Sequence, residues 1–229
     1  MVAILQRFDP YEREKILSKT KLFIVDKGQF VYREGDSANH LYFIHSGEVR
    51  LYKTVDENKD ITVFLRRQQN AFGEIGVFAG KKYSNTAIAT KRCKLSVIQK
   101  KDILQLMKED GMIGIKFTKW IAEELEMSKA KIRDYLAFGT EGAIASVFIR
   151  YSNMYGVVSS EGISIMEAIK LNDVSKHIGV SRETVSRIVN KWKEKGIISN
   201  SNKNYIIKDV EYLNNLLGCY SCSVKNCIL

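Results

Sequence analysis

Cys219, Cys222 and Cys227 fall within the last eleven residues of the sequence, in a C-x2-C-x4-C pattern. A thiolate is a soft anionic ligand, and thiolates spaced by two and four residues can curve around one inorganic centre. An iron–sulfur cluster or a tetrahedral zinc would accept such a set, and each wants a further ligand. The tail holds no histidine, so that ligand must come from elsewhere in the chain. Three reduced thiols without any inorganic partner are the third reading of the same residues. The remaining cysteine, Cys93 in Lys91-Arg-Cys-Lys94, reads as a partly buried structural thiol.

The cysteines follow a region dense in positive charge. The 229-residue chain has a net charge of +10. Between Lys170 and Lys208, nine lysines and arginines stand against only Asp173, Glu183 and Glu194. Such a surplus suits a phosphate-facing surface, and equally an ordinary solvated lysine-rich face. A hydrophobic content of 45% supplies a folded core, and a single proline argues against long linkers. No apolar run approaches the roughly 18 residues of a membrane span. The opening Met1-Val-Ala-Ile-Leu-Gln-Arg-Phe-Asp9 has no long apolar stretch or cleavage site, so a cytoplasmic protein with reduced cysteines is expected. No paired carboxylates, Cys/His dyad or P-loop stands where it would position a substrate, which argues against an enzyme.

These residues need a scaffold, and the pattern predicts an α+β chain. Leu22–Val25, Gln29–Tyr32, His40–His45, Glu48–Lys53, Ile61–Leu65, Asn85–Ala89 and Cys93–Ile98 are short segments rich in aromatic and β-branched residues, separated by turn signals. They imply an antiparallel sandwich or roll over residues 1–110. From about 101 to 136, Ile113, Phe117, Ile121, Leu125, Ser128, Ile132 and Tyr135 recur in steps of four and three. That reads as one long amphipathic helix whose seam, centred on 111–138, pairs two copies of the chain. Trp120, Met127 and Leu136 are candidates to pack it against its own β domain. Phe138-Gly139-Thr140-Glu141-Gly142 then interrupts the helix and is the expected hinge. Residues 139–210 read as a winged helix-turn-helix, with helices over Ala143–Tyr155, Asn172–Ile178 and Ser181–Lys195 and a hairpin after Gly196. Residues 211–229 form the cysteine-bearing tail.

In the stretch from Asn172 to Trp192, Val174 and Ile178 face a core, Gly179 permits a tight turn, and Ser181 caps the next helix. Val185, Ile188, Val189 and Trp192 form the buried stripe of that helix. Arg182, Glu183, Ser186 and Arg187 are left on its outer, N-terminal part, where base contacts are made. Arginine can hold guanine O6 and N7 together, and glutamate can accept from cytosine N4. His177, beside the turn, reads as structural or phosphate-contacting.

Ser181-Arg-Glu-Thr-Val-Ser-Arg187 resembles the recognition helix of the Crp/Fnr superfamily of bacterial transcription regulators, and the likeness extends from about residue 10 to 210. The resemblance implies a β-roll of the cyclic-nucleotide-binding type, a dimerisation helix and a winged helix, with double-stranded DNA and RNA polymerase as partners. It implies that Arg182, Glu183 and Arg187 read a two-fold symmetric site with TGTGA or TTGAT half-sites. Gly73-Glu74-Ile75-Gly76-Val77-Phe78 resembles the entry of the phosphate-binding cassette. Tyr83 stands where that cassette carries an arginine, and only Ser84 matches its hydroxyl residue, so cyclic nucleotide binding is not expected. Lys82 is a point-charge substitute at best.

The tail resembles that of the Bacillus-type Fnr branch, whose members are oxygen-responsive. There a [4Fe–4S] cluster is held by the three tail cysteines and an aspartate near the end of the dimer helix, which corresponds to Asp134 here. On its own Asp134 reads as a solvated helix carboxylate paired with Lys131, and Glu141 is the nearest substitute ligand. The resemblance thus implies a homodimeric anaerobic activator that binds DNA when it carries the cluster. A small-molecule receptor with a structural zinc in the tail is the alternative.

Overall fold

The computed structural model describes residues 4–57, 59–201, 204–219 and 227–229. They form two compact units, divided between Ala122 and Glu123.

The first unit opens with helices α1 (Ile4–Arg7) and α2 (Pro10–Leu17). Strands β1 (Lys21–Val25), β2 (Phe30–Tyr32), β3 (His40–Ser46), β4 (Glu48–Asp56), β5 (Lys59–Arg67) and β6 (Ala71–Phe72) follow. Helix α3 (Glu74–Phe78), strands β7 (Thr86–Ala89) and β8 (Cys93–Gln99), helix α4 (Lys100–Glu109) and the start of α5 (Gly111–Ala137) complete it. Two antiparallel sheets, ordered β1-β8-β3-β6 and β2-β7-β4-β5, make the β-roll. Strand β3 shows why it reads as continuously apolar. Its Tyr42 and Ile44 enter the core between the sheets with Val49, Leu51, Phe72 and Leu95. Leu41 and Phe43 enter a second core under the helices with Ile103, Ile113, Phe117 and Trp120. Side chains alternate across a strand, so a strand covered on both faces needs apolar residues at every position.

The expected single helix over 101–136 is two. Asp110 leaves the helical region at φ −137° and ψ 92°, and its carboxylate accepts the Met112 N–H at 3.1 Å. Asp110 thus ends α4 and restarts the chain as α5 with a side-chain bond in place of a helical one. The apolar seam divides as well. Ile113 and Phe117 are core, whereas Ile121, Leu125 and Ile132 stand exposed. Of the residues assigned to packing, Trp120 and Met127 are buried, but Leu136 is 79% exposed.

At the β3–β4 turn Gly47 has φ +93°, and a Cβ there would lie 2.7 Å from the Cys93 sulfur. Only glycine fits that approach. Cys93 is buried, its thiol bonded to the carbonyls of Lys91 and Glu48 at 3.1 and 3.3 Å. Burial pushes its pKa above the ordinary thiol value.

The second unit holds the rest of α5, from Glu123, and then α6 (Gly139–Tyr155), β9 (Gly156–Ser159) and β10 (Gly162–Ile165). It continues through α7 (Leu171–Ile178), α8 (Arg182–Glu194), β11 (Ile198–Ser201), β12 (Asn204–Ile207) and α9 (Val210–Leu216). Its sheet runs β11-β12-β10-β9, so the wing hairpin is extended by two strands beyond those expected. The start of the expected tail is also structured. The Asp209 side chain accepts the Tyr212 N–H at 2.8 Å to cap α9, which buries Leu213. Between α5 and α6 the chain turns at Phe138, with Gly139 at φ +61°.

Candidate functional site

The helix-turn-helix is built from α7 and α8. Gly179 takes the left-handed conformation at φ +73° that lets α7 stop abruptly. Ser181 then accepts the Thr184 N–H at 3.1 Å, satisfying one of the free amides that begin α8. Val185, Val189 and Trp192 are fully buried and Ile188 half-buried, which fixes how α8 is rotated. The Trp192 ring meets Phe148 of α6 edge-on at 5.7 Å, and its indole N–H donates to Glu141 at 2.8 Å. Full burial of an indole is tolerable because its one donor is satisfied.

With that face anchored, Arg182, Glu183, Ser186 and Arg187 line one open groove on the opposite side of α8. Asn190, Lys191 and Glu194 line the same groove and were not singled out by the sequence. The signal was present in their spacing of three or four from Ser186, Arg187 and Asn190. Lys191 is partly engaged, 3.4 Å from Glu141. His177 is buried and meets Tyr151 edge-on, a structural position.

Glu141, the substitute ligand, binds other groups. It accepts from Trp192, from Lys191 at 3.4 Å and from the Tyr212 hydroxyl at 3.4 Å, joining α6 to α8 and α9. Burial alone would raise its pKa, but these hydrogen bonds outweigh it and hold the carboxyl below the usual range.

Asp134 differs from its expected surroundings. It is buried rather than solvated, with its side chain 2% exposed. Oδ1 accepts from Arg133 Nε and Nη2 at 3.1 and 2.7 Å, and Oδ2 from Ser146 and Arg150 at 2.8 and 2.7 Å. Helix spacing points to neighbours on α5, whereas two of these partners belong to α6. Arg150 also donates to the Ile228 carbonyl at 3.0 Å, and Asn153 donates to the Cys227 carbonyl at 2.8 Å. Burial raises the pKa of the Tyr135 phenol; Arg150 opposes this, while Asp134 and Cys227 add to it. A local signal for Arg150 is present in its neighbours. A cation inside the apolar run Ala143–Tyr151 needs a buried partner.

Cys219 follows α9, its N–H bonded to the Asn214 carbonyl at 3.1 Å. Cys222 lies outside the described residues. Among the described residues no three His, Cys, Asp or Glu side chains converge, so Cys219, Cys227 and Asp134 are not gathered into one group. Three thiols and a carboxylate nevertheless suit an iron–sulfur centre chemically, and the buried Arg150 beside the carboxylate complements its negative charge.

In the β-roll, aromatic rings occupy the region of the phosphate cassette. Tyr83 stacks on Tyr32 with centroids 3.6 Å apart, and Tyr42 stacks on Phe72 at 5.0 Å. The Tyr83 hydroxyl donates to the His40 carbonyl at 2.7 Å. Between Tyr32, Gly73, Tyr83 and Ser84 about 10 Å³ remains, room for roughly one water. Lys82 is exposed.

Comparison with known proteins accounts for both units. Residues 23–110 match the cyclic nucleotide-binding domain and residues 144–216 the Crp-like helix-turn-helix domain. The chain is 32% identical over 222 residues to the anaerobic regulatory protein of Bacillus subtilis, covering 96% of this chain and 92% of that protein. It is 24% identical over 176 residues to the cAMP-activated global transcriptional regulator CRP of Salmonella typhimurium, covering 76% and 83%. In fold it is similar to FixK2 from Bradyrhizobium japonicum, with a TM-score of 0.75, 18% identity, and coverage of 89% of this chain and 99% of that one. Among the described residues no helix is long and apolar enough to cross a membrane. The β-roll, the helix-turn-helix and the relatives together make this chain a member of the Crp/Fnr family of DNA-binding transcription regulators.

Proposed function

We propose that the chain is an oxygen-responsive regulator that binds its specific DNA site as a homodimer when Cys219, Cys222, Cys227 and Asp134 hold a [4Fe–4S] cluster. One observation carries the reading. The Arg150 guanidinium joins the Asp134 carboxylate on α5 to the backbone of the cysteine-bearing tail. The similarity to an anaerobic regulatory protein over nearly the whole chain supports it.

When bound, the cluster supplies an oxidant-labile cross-link between the end of α5 and the tail. The remaining work belongs to the chain. Asp134 and Arg150 span the turn at Phe138, and Glu141 ties the start of α6 to Trp192 of the recognition helix. Fixing the tail therefore bears on the orientation of α8. Shifting a two-state equilibrium from 1:99 to 99:1 takes about 5.5 kcal/mol. Structural metal centres supply about 10 kcal/mol or more, judged from zinc peptides, so the cross-link is energetically sufficient.

Arg182 and Arg187 would each hold guanine through two hydrogen bonds, and Glu183 would accept from cytosine. Ser186 lies on the same face, and the site would be an inverted repeat of TGTGA or TTGAT type. The exposed stripe of Ile121, Leu125 and Ile132, at coiled-coil spacing, supports pairing through α5. Action as an activator through RNA polymerase, inside a cytoplasm that keeps the thiols reduced, completes the reading.

Anaerobic reconstitution tests it, with iron, zinc and sulfide assays and operator binding measured by fluorescence anisotropy at fixed salt. The expected result is near-stoichiometric cluster and an affinity gain that air abolishes. Colourless protein with unchanged affinity refutes the proposal, and zinc without sulfide identifies a structural zinc tail instead.

A further inference from the structure

Arg150 is 1% exposed, and its three guanidinium nitrogens serve three different groups. Nε donates to Ser146 Oγ at 3.0 Å, Nη2 to Asp134 Oδ2 at 2.7 Å and Nη1 to the Ile228 carbonyl at 3.0 Å. Ser146 also donates to Asp134 Oδ2, so this oxygen is fixed by two buried donors. Oδ1 is bound by Arg133, whose side chain is 44% exposed. Two more bonds join the tail to α6, from Asn153 to the Cys227 carbonyl and from the Leu229 N–H to Met154 Sδ at 3.4 Å.

From this arrangement we infer that Arg150 is a positioning residue that docks residues 227–229 on α6 and orients Asp134 before any inorganic centre is assembled, so that Oδ1 is the oxygen offered to iron and Arg133 the group displaced. The assignment of Oδ1 rests on the function proposed above; the docking does not. Withdrawing Arg133 returns a surface guanidinium to water, whereas opening Oδ2 would strand the charge of Arg150 in the interior.

The docking is tested on metal-free protein, stripped with chelator and kept reduced. The rate of Cys227 alkylation by iodoacetamide is followed by mass spectrometry, with hydrogen exchange of the α8 amides reporting opening of the second unit as a whole. Arg150→Met is expected to accelerate Cys227 labelling by about tenfold, the factor that accompanies loss of a hydrogen bond to a charged group. Arg150→Lys should recover part of the protection. Asn153→Ala, at an exposed position, should accelerate labelling without touching the buried pair. If Arg150→Met also opens α8, Asn153→Ala decides the question. Cys227 rates equal to wild type in the variants that keep the α8 amides protected overturn the docking.

The assignment of Oδ1 is tested by iron and sulfide content after anaerobic reconstitution. Arg133→Ala should keep wild-type content, while Arg150→Met loses most of it. The reverse pattern overturns the assignment. A wild-type protein that takes up no iron, yet whose Cys227 protection still depends on Arg150, overturns both the assignment and the functional reading and supports the docking.

Discussion

Replacing Asp134 with asparagine keeps the shape of the side chain and removes its charge. The carboxylate is 2% exposed and accepts four hydrogen bonds, two from Arg133, one from Ser146 and one from Arg150. Arg150 is itself 1% exposed, so the substitution leaves its cation buried without a counter-charge. Breaking such a pair from one side costs about 3–5 kcal/mol, against about 0–1 kcal/mol for an exposed pair. A loss near 3 kcal/mol would lower the melting temperature of a unit of this size by more than about 10 °C. The assay is native-state hydrogen exchange of the α6 amides, read by mass spectrometry in chelator and reductant so that no metal contributes. Replacing both partners, as Asp134→Leu with Arg150→Met, should restore much of the loss, because no orphaned charge remains. A destabilisation by Asp134→Asn of less than about 1 kcal/mol would refute the reasoning and restore the solvated-carboxylate view.

Three further outcomes are expected. Arg187→Ala should weaken specific operator binding by about 1–3 kcal/mol while leaving binding to unrelated DNA nearly unchanged, as measured by anisotropy with both probes at one salt concentration. Leu125→Glu with Ile132→Glu should shift sedimentation from dimer to monomer while leaving the circular dichroism of the subunit intact, since both side chains are exposed in the single chain. Glu141→Gln should destabilise the second unit at neutral pH. The Glu141 pKa is lowered in the folded chain, so its contribution is present above the unfolded value of about 4.3 and is lost as pH falls through the folded value. Denaturation midpoints of wild type and variant should therefore converge in acid.

What could be read from the residues follows from the range of the forces involved. The seven longer strands of the β-roll were legible because alternation and turn residues act over a few positions, as in Ser46-Gly47-Glu48 between β3 and β4. The helix-turn-helix was legible for the same reason: Gly179, Ser181 and the Val185–Trp192 stripe are local devices. The break at Asp110 was hidden because the apolar period continues in step across it. Helix α9 carries one local signal, the N-cap Asp209, but at 7 residues it is too short to show a period. The surroundings of Asp134 were beyond local pattern, since Ser146 and Arg150 reach it from the next helix. For the tail, spacing indicated a ligand type, but a set gathered from 134 and 219–227 depends on tertiary approach.

The meeting of Gly47 and Cys93 has a chemical consequence of its own. Backbone presses on that sulfur so closely that even a methyl group at residue 47 would collide with it. An oxygen atom added to the sulfur would need comparable room, and the raised pKa keeps the thiol protonated and slow to react. A sulfur so enclosed is a poor target for peroxide, which leaves this thiol to serve the β-roll as packing rather than as a reactive group.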